Sequence, residues 1–232
     1  MKQRIRNVLK TILKEWVLPV VVVVAVLGSF RSAVADWMHV PTGSMLPTIV
    51  EGDRIFVNKM AYDLCIPFTD LRISKMGDPA AGEVAVFRSP ESGIRLVKRI
   101  IGTPGDVIEM RNNRLTVNGT PVEYEPHPTS AHLAKAVSDD PSRYHFSVET
   151  IGEEAHPVML SRYASPAASF GPLTVPAGQY FTLGDNRDGS RDSRYFGFVD
   201  RDAFMGRVSG VVYSLDPSRF WIPRWDRTCS GF

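Results

Sequence analysis

One strongly apolar run near the start of the chain is followed by short stretches in which apolar and polar positions alternate. Residues 16–30 carry no charge and lie between Lys14 and Arg31. As a helix rising 1.5 Å per residue, this run would be about 22 Å long, short of a hydrocarbon core of ~30 Å. The pattern predicts either a signal peptide or a slightly short signal anchor, and residues 32–35 could extend the helix.

Residues 32–35 read Ser-Ala-Val-Ala, a small-residue pattern typical of a cleavage site, so removal of the segment is an alternative. We expect retention, because cleavage would leave the serine-containing loop at 41–48 near a frayed terminus. The basic residues before the run place the N-terminus in the cytoplasm and the rest of the chain on the outer side of the membrane. They are Lys2, Arg4, Arg6, Lys10 and Lys14.

From about residue 37 onward, alternating or apolar runs between turn residues predict a mainly β fold with an antiparallel sheet. The predicted strands are 54–58, 83–87, 94–101, 107–111, 114–117, 179–183 and 207–214. The pairs at 112–113 and 118–119 are typical of hairpin turns. Residues 125–176 are richer in Pro, Ser, Ala and His and poorer in β signal, which predicts an inserted second lobe.

The pattern therefore divides the chain into five segments. These are a basic cytoplasmic segment (1–15), a transmembrane anchor (16–35), a β domain (36–124 and 177–215), an inserted lobe (125–176) and a C-terminal tail (216–232). Trp221 and Trp225 in the tail are amphipathic aromatic residues suited to a membrane interface, so membrane lipid is an expected partner.

The composition narrows the class of protein. With 232 residues, 44% of them hydrophobic, the chain can bury a substantial core, and its net charge of +2 does not suggest a nucleic-acid partner. Cys65 and Cys229 could form one disulfide in an oxidising compartment, but their spacing leaves this open. The five scattered histidines and the absence of an HExxH pattern predict neither a metal site nor a cofactor.

The stretch at 41–48 carries the first candidate for chemistry. Ser44 follows Gly43, and the pair lies between Pro41 and Pro47. Proline fixes its own φ, and glycine tolerates tight backbone conformations, so this loop could present the Ser44 hydroxyl rigidly. A solvated serine in an ordinary turn is the alternative.

Two residues are candidates for the base that such a serine needs. His39 is close in sequence, but nothing in the sequence orients it, and an ordinary loop residue is the favoured interpretation. Strand alternation places Lys98 on the apolar face of the strand at 94–101, with Arg95 and Arg99 on the other face. Burial would lower the lysine pKa from ~10.4 towards neutrality. The alternative is that Lys98 reaches solvent or pairs with a carboxylate.

A third stretch, at 184–197, is rich in Asp, Arg and Gly. Asp185, Asp188 and Asp192 could be ligands of a calcium loop. The interspersed arginines and the absence of EF-hand spacing favour internal ion pairs that rigidify a loop.

Together these stretches resemble the bacterial type I signal peptidases, also called leader peptidases. Residues 41–48 are similar to the serine box of that family, 98–106 to its lysine box and 184–199 to its late Gly-Asp-Asn-Arg box. Residues 52–53 and 82–87 fit the intervening motifs. The resemblance covers about residues 38–213 in the family's order.

The resemblance implies a membrane-bound serine endopeptidase that removes signal peptides from exported preproteins after an Ala-x-Ala-type site. It implies that Ser44 is the nucleophile and Lys98 the general base. The oxyanion hole would be the N–H of Ser44 and the hydroxyl of Thr42, where serine is usual. Threonine keeps the hydroxyl but restricts χ1.

The resemblance also implies supporting residues. Ser190 would hold the lysine amine by a hydrogen bond. An ion-pair network would be formed by Asp185, Asp192 and Arg194. Shallow substrate pockets would be lined by Met38, Val40, Ile49, Leu96 and Val97, for each of which ordinary core packing is the alternative.

The expected partners are preproteins that bear signal peptides, membrane lipid and the protein export machinery. Two other interpretations stay open at this stage. One is a peptidase of the same Ser/Lys class specialised for conjugation pilin, and the other is a non-catalytic, membrane-tethered module that binds exported chains.

Overall fold

The computed structural model describes residues 13–69, 71–127, 143–152, 154–163 and 165–231. Most of the predicted basic segment, 1–12, lies outside the described residues, as does 128–142 within the predicted inserted lobe.

A single apolar helix leads into the folded domain. Leu13–Val17 form a π-helical turn, and α1 continues over Leu18–Ala33. The 21 helical residues of Leu13–Ala33 span about 31 Å, enough to cross a bilayer core. The uncharged run at 16–30 lies within this helix, which also includes residues on both sides of the run.

Eighteen strands follow among the described residues. They are β1 (Ala35–His39), β2 (Asp53–Asn58), β3 (Asp63–Cys65), β4 (Arg72–Lys75), β5 (Val84–Arg88), β6 (Arg95–Gly102), β7 (Val107–Arg111), β8 (Arg114–Val117), β9 (Thr120–Pro121), β10 (Tyr124–Pro126), β11 (Tyr144–Ile151), β12 (Glu154–Ser161), β13 (Phe170–Thr174), β14 (Gln179–Leu183), β15 (Val199–Asp200), β16 (Phe204–Asp216), β17 (Ile222–Pro223) and β18 (Ser230–Gly231). A short helix, α2, spans Ser193–Phe196.

The strands confirm the predicted fold class, which is mainly β with antiparallel pairing. The largest sheet has the order β1-β2-β16-β5-β6-β14-β15, and β16 also pairs with β17 and β18. All seven predicted strands are present, and those at 107–111, 114–117 and 179–183 match at both ends. Because β6 lies between β5 and β14, the predicted lysine strand is in the interior of this sheet.

Three smaller sheets complete the domain, in the orders β10-β11-β12, β13-β7-β8-β9 and β3-β4. Residues 125–176, where the sequence shows a weaker β signal, contain β11 and β12, which pair over eight residues. These two strands contain the buried polar residues Glu149 and His156 together with Pro157, which interrupt the apolar alternation on which the prediction depended.

The serine loop, residues 40–52, is packed on two sides. Met45 and Ile49 enter a buried cluster with residues of β2, β5 and β16. Leu46 and Val50 pack instead against side chains of β11 and β12. Hydrogen bonds of 3.0 Å from Val40 N to Asp53 O and from Gly52 N to Val40 O close the base of the loop. The loop is therefore held by the cores of two different sheets.

Candidate active site

Ser44 is carried by a 3₁₀ turn, Gly43–Met45, within the serine loop. The turn is closed by a 3.1 Å hydrogen bond from Leu46 N to Gly43 O. Ser44 itself is half-buried while its neighbours Met45 and Leu46 are buried. Since the apolar residues that follow it anchor the turn inward, the hydroxyl of Ser44 is left at the domain surface in a fixed position.

The structure brings Ser44 and Lys98 together. The Nζ atom of Lys98, on β6, is hydrogen-bonded to Ser44 Oγ at 2.6 Å and donates to the backbone oxygen of Val97 at 3.0 Å. Lys98 is only 2% exposed. Ser44 and Lys98 are fifty-four positions apart in the chain, and the serine loop and β6 supply one each.

The surroundings of Lys98 favour its neutral form. Burial lowers the pKa of this amine from 10.5 to about 8. The carboxylates of Asp192 and Asp185 counteract the shift, and the positive charge of Arg194 adds to it. An amine whose pKa is near neutrality and which contacts a hydroxyl can act as a general base.

Asn186 forms hydrogen bonds with the backbone carbonyls of Gly43 and Ser44. Its Nδ2 atom donates a 3.0 Å hydrogen bond to Gly43 O, and its backbone N–H donates one of 3.2 Å to Ser44 O. Its Oδ1 atom accepts from Gly189 N at 3.1 Å. No pattern in the sequence assigns a role to Asn186, although this residue lies within the motif at 184–199.

Asp185 is fully buried and joins three segments of the chain. It accepts two hydrogen bonds from the guanidinium of Arg99, at 2.9 and 2.8 Å, and one from Thr48 Oγ1 at 2.5 Å. Burial raises the pKa of Asp185, but these partners outweigh it and the net shift is downward. Asp185 thus ties the strand of Lys98 to the loop of Ser44.

The structure places the residues of the predicted network of Asp185, Asp192 and Arg194 in two separate ion pairs. Asp192 pairs with Arg194 at 2.8 Å and accepts from Gly184 N at 3.1 Å, whereas the partner of Asp185 is Arg99. The calcium-loop alternative is not supported either. The third aspartate of the stretch, Asp188, accepts hydrogen bonds from Asn113 and from the backbone of Ser161.

Ser190 lies next to the serine loop without forming the implied bond. A Cβ added to Gly184 would overlap both Ser190 Oγ and the backbone oxygen of Ser44, so the three residues are in close contact. The buried Oγ of Ser190 has no hydrogen-bond partner among the described residues, and the implied bond to the amine of Lys98 is absent.

A second buried charge cluster lies behind the site. Arg187 pairs with Glu149 of β11, and His156 of β12 lies 3.3 Å from Glu149 and 3.9 Å from Asp185. Burial raises the pKa of Glu149, but the charge of Arg187 outweighs it and holds that pKa well below its usual range. No sequence motif indicates this cluster, because it connects the stretch at 184–199 to a region that contains none.

Two donors are available near the serine. The N–H of Ser44 belongs to the first turn of a 3₁₀ segment and has no partner within it. Thr42 precedes that turn in an extended conformation, is exposed, and makes no capping hydrogen bond with its side chain. Both groups could donate to an oxyanion.

The five predicted pocket residues do not form one surface. Val40 and Ile49 are buried inside the cluster beneath the serine loop, and Leu96 packs against a different cluster. Met38 and Val97 are partly exposed at the edge of the first cluster. These two can therefore contact a substrate without rearrangement of the core.

The remaining candidates lie outside this arrangement. His39 ends β1, is exposed, and has its ring 6.1 Å from that of Trp221. Cys65 and Cys229 are free thiols. No cluster of three His, Cys, Asp or Glu side chains that could hold a metal occurs in the described part of the chain.

The chain is similar in sequence to one family of known proteins. A family model described as signal peptidase, peptidase S26, matches residues 13–213. A signal peptidase I from Pseudomonas aeruginosa is 39% identical over 228 residues, covering 90% of this chain and 75% of its own. One from Pseudomonas fluorescens is 34% identical over 224 residues, with the same coverage. A solved signal peptidase I from Enterococcus faecalis is 33% identical and superposes with a TM-score of 0.34, covering 56% of this chain and 95% of that one.

Proposed function

The chain belongs to the signal peptidase family, peptidase S26, and is a serine endopeptidase, and we propose that it cleaves preproteins after an Ala-x-Ala-type site with Ser44 as nucleophile and Lys98 as general base. The observation that carries the proposal is the 2.6 Å hydrogen bond between Lys98 Nζ and Ser44 Oγ at a buried amine with a pKa of about 8. With this pKa, about one amine in ten is neutral at pH 7.

The reaction proceeds in two halves. Neutral Lys98 Nζ takes the proton of Ser44 Oγ as that oxygen attacks the carbonyl carbon before the scissile bond. The lysine then gives this proton to the departing amine, which leaves an ester on Ser44. In the second half, Lys98 takes a proton from water, the resulting hydroxide attacks the ester, and the proton returns to Ser44 Oγ as the acid product leaves.

The N–H of Ser44 and the hydroxyl of Thr42 stabilise the oxyanion that forms in each half. The support for this step is that neither donor is used within the turn that carries them. Once Ser44 is acylated, its Oγ can no longer donate a hydrogen bond to the Lys98 amine. The unpartnered hydroxyl of Ser190 is then available to hydrogen-bond with that amine. Met38 and Val97 contact the small side chains that precede the cut.

The helix is retained as a membrane anchor with its N-terminus in the cytoplasm. The small-residue site ends at Ala35, which is buried and paired with Asn58 in β1 and β2, so a peptidase could not reach this bond in the folded protein. Lys59 Nζ also donates to the carbonyls of Arg31 and Ser32 at the end of the helix. The catalytic domain is thereby fixed to the outer surface of the inner membrane.

Exposed aromatic residues near the C-terminus bring a second part of the domain to the same membrane. Trp221 and Trp225 are exposed, as are the neighbouring Phe220 and Ile222. Aromatic side chains with a polar group are favoured at membrane interfaces. Contact between this surface and the bilayer would place the serine loop at the same height as the cleavage site of a substrate that is held in the membrane.

The test is cleavage of a purified preprotein with an Ala-x-Ala site by the wild type, Ser44→Ala and Lys98→Met. We expect correct cleavage by the wild type and none by either variant. Arg95→Met, which changes an exposed residue on the same strand, is the matched control and should remain active. Activity in Lys98→Met would refute the proposed base, and an inert wild type would favour the narrow-substrate peptidase or the non-catalytic module.

A further inference from the structure

The hairpin formed by β3 and β4 exposes a set of apolar side chains for which the domain offers no cover. The exposed residues are Ile66, Phe68, Leu71, Ile73 and Met76, with Phe68 70% and Leu71 64% exposed. All four residues of β4 are exposed. A two-stranded hairpin is at best marginally stable in water, and a contiguous apolar surface marks an interaction site.

The hairpin lies alongside the end of α1. The backbone N–H of Phe68 donates a 2.7 Å hydrogen bond to Ser32 Oγ. A Cβ added to Gly28 would lie 3.2 Å from the Phe68 ring, so this glycine leaves the space that the ring occupies against the helix. Gly28 is five residues before the end of α1 at Ala33, about 7 Å along the axis. The Phe68 ring is thus level with the interior of the apolar span rather than with its end.

The contacts between the hairpin and the domain are polar. Arg72 of β4 pairs with Asp202, and Asp63 of β3 pairs with Arg201. A cavity of about 500 Å³ separates hairpin residues such as Cys65 and Leu71 from the start of β16. The domain therefore holds the hairpin through charges and leaves its apolar residues uncovered.

We propose that the β3–β4 hairpin inserts its apolar side chains into the lipid leaflet beside α1 and forms a second membrane-embedded element. Lipid is the occupant because the exposed apolar surface of the hairpin is continuous with that of α1, which is itself almost wholly exposed. Two embedded elements in contact restrict how the domain can tilt about the end of the helix, and so set the height of the serine loop above the bilayer.

The direct test measures the depth of the hairpin in the bilayer. The full-length chain with Cys65→Ser, Cys229→Ser and Ile73→Cys is labelled with an environment-sensitive fluorophore and reconstituted into phosphatidylethanolamine and phosphatidylglycerol vesicles containing brominated lipid. We expect blue-shifted emission that brominated lipid quenches. The matched control carries the label at Thr120→Cys, an exposed position on β9 in a different sheet. Equal, unquenched emission from the two positions would overturn the proposal.

A functional readout complements the depth measurement. Phe68→Ser/Leu71→Ser should reduce cleavage of a membrane-inserted precursor several-fold and leave cleavage of a short soluble peptide in detergent unchanged. Tyr163→Ser/Leu173→Ser, which removes exposed apolar side chains elsewhere, should affect neither substrate. An equal loss on both substrates, or no loss on the precursor, would contradict the inference. Because quenching does not require activity, failure of the catalytic proposal would leave the depth result interpretable.

Discussion

The side chain of Asn186 donates a 3.0 Å hydrogen bond to the backbone carbonyl of Gly43, the residue before the proposed nucleophile. The backbone of Asn186 adds a second hydrogen bond, to the carbonyl of Ser44. The carbonyl of Gly43 and the N–H of Ser44 belong to the same peptide group. Because Asn186 holds the carbonyls of both residues, the N–H of Ser44 has a fixed direction. In the proposed mechanism, Asn186 is therefore a positioning residue for the oxyanion hole.

Replacement of Asn186 tests this role. Asn186→Asp keeps the acceptor for Gly189 N but removes the donor to Gly43 O, and we expect kcat to fall about ten- to hundredfold with little change in KM. Asn186→Gln should restore part of the activity. Steady-state kinetics on a peptide substrate give the two constants. An increase in KM with kcat unchanged would assign Asn186 to substrate binding instead.

The pH profile tests the protonation state of Lys98. Because the reaction needs the neutral amine and burial lowers its pKa to about 8, kcat/KM should fall about tenfold per pH unit below pH 8 and level off above it. His39→Gln should leave this acidic limb in place. A limb near pH 6.5 that disappears in His39→Gln would instead indicate a histidine base.

Gly184 should tolerate no side chain. A Cβ at this position would overlap Ser190 Oγ and the backbone oxygen of Ser44, so Gly184→Ala must displace one of them. We expect at least a hundredfold loss of kcat and a destabilisation of about 1–3 kcal/mol. Gly231→Ala is the control, because nothing lies within 4 Å of the added atom. Full activity in Gly184→Ala would mean that the contact between these residues is not needed for catalysis.

The buried pair of Arg187 and Glu149 should dominate the response of stability to mutation. Arg187→Met leaves the Glu149 carboxylate buried without its partner and should cost about 3–5 kcal/mol. Arg187→Met/Glu149→Gln should recover much of that loss. Arg191→Met, at an exposed pair with Glu91, should have no measurable effect. Denaturant unfolding in detergent, followed by tryptophan fluorescence, measures each variant, and equal stability of the wild type and Arg187→Met would refute the assignment.

The same pair predicts how stability changes with pH. The pKa of Glu149 is lower in the folded protein than its ordinary value of 4.5. The unfolded chain therefore binds more protons as the pH falls below about 4.5, and the contribution of the pair is present above that pH and lost below it. The double variant Arg187→Met/Glu149→Gln should show a shallower loss of stability between neutral and acidic pH.

The C-terminal aromatic residues should contribute to membrane binding. Trp221→Ala/Trp225→Ala in residues 36–232 should weaken cosedimentation with phosphatidylglycerol-containing vesicles several-fold, because two amphipathic side chains no longer enter the interface. Tyr163→Ala/Leu173→Ala is the matched control and should bind normally. Unchanged binding by the tryptophan variant would exclude this surface as a membrane contact.

The sequence by itself determined the features that depend on local pattern. The apolar run at 16–30 predicted a helix, period-two alternation predicted seven of the strands, and the constrained loop around Ser44 and the lysine on an apolar strand face predicted the two candidate groups. The predictions of the helix and the strands succeeded because each depends on residues that are neighbours in the chain, and the roles of the two candidate groups stay predictions.

Only the tertiary structure decided which distant residues meet. Alternation put Arg99 opposite Lys98 but could not show that Arg99 is buried against Asp185, eighty-six positions away. Alternation also did not indicate that Asn186 is hydrogen-bonded to the serine loop, or that Glu149 of β11 forms an ion pair with Arg187. Buried charges and hydrogen-bonding side chains pair with whichever groups lie close to them in the folded protein. The periodicity of the sequence does not show which groups these are.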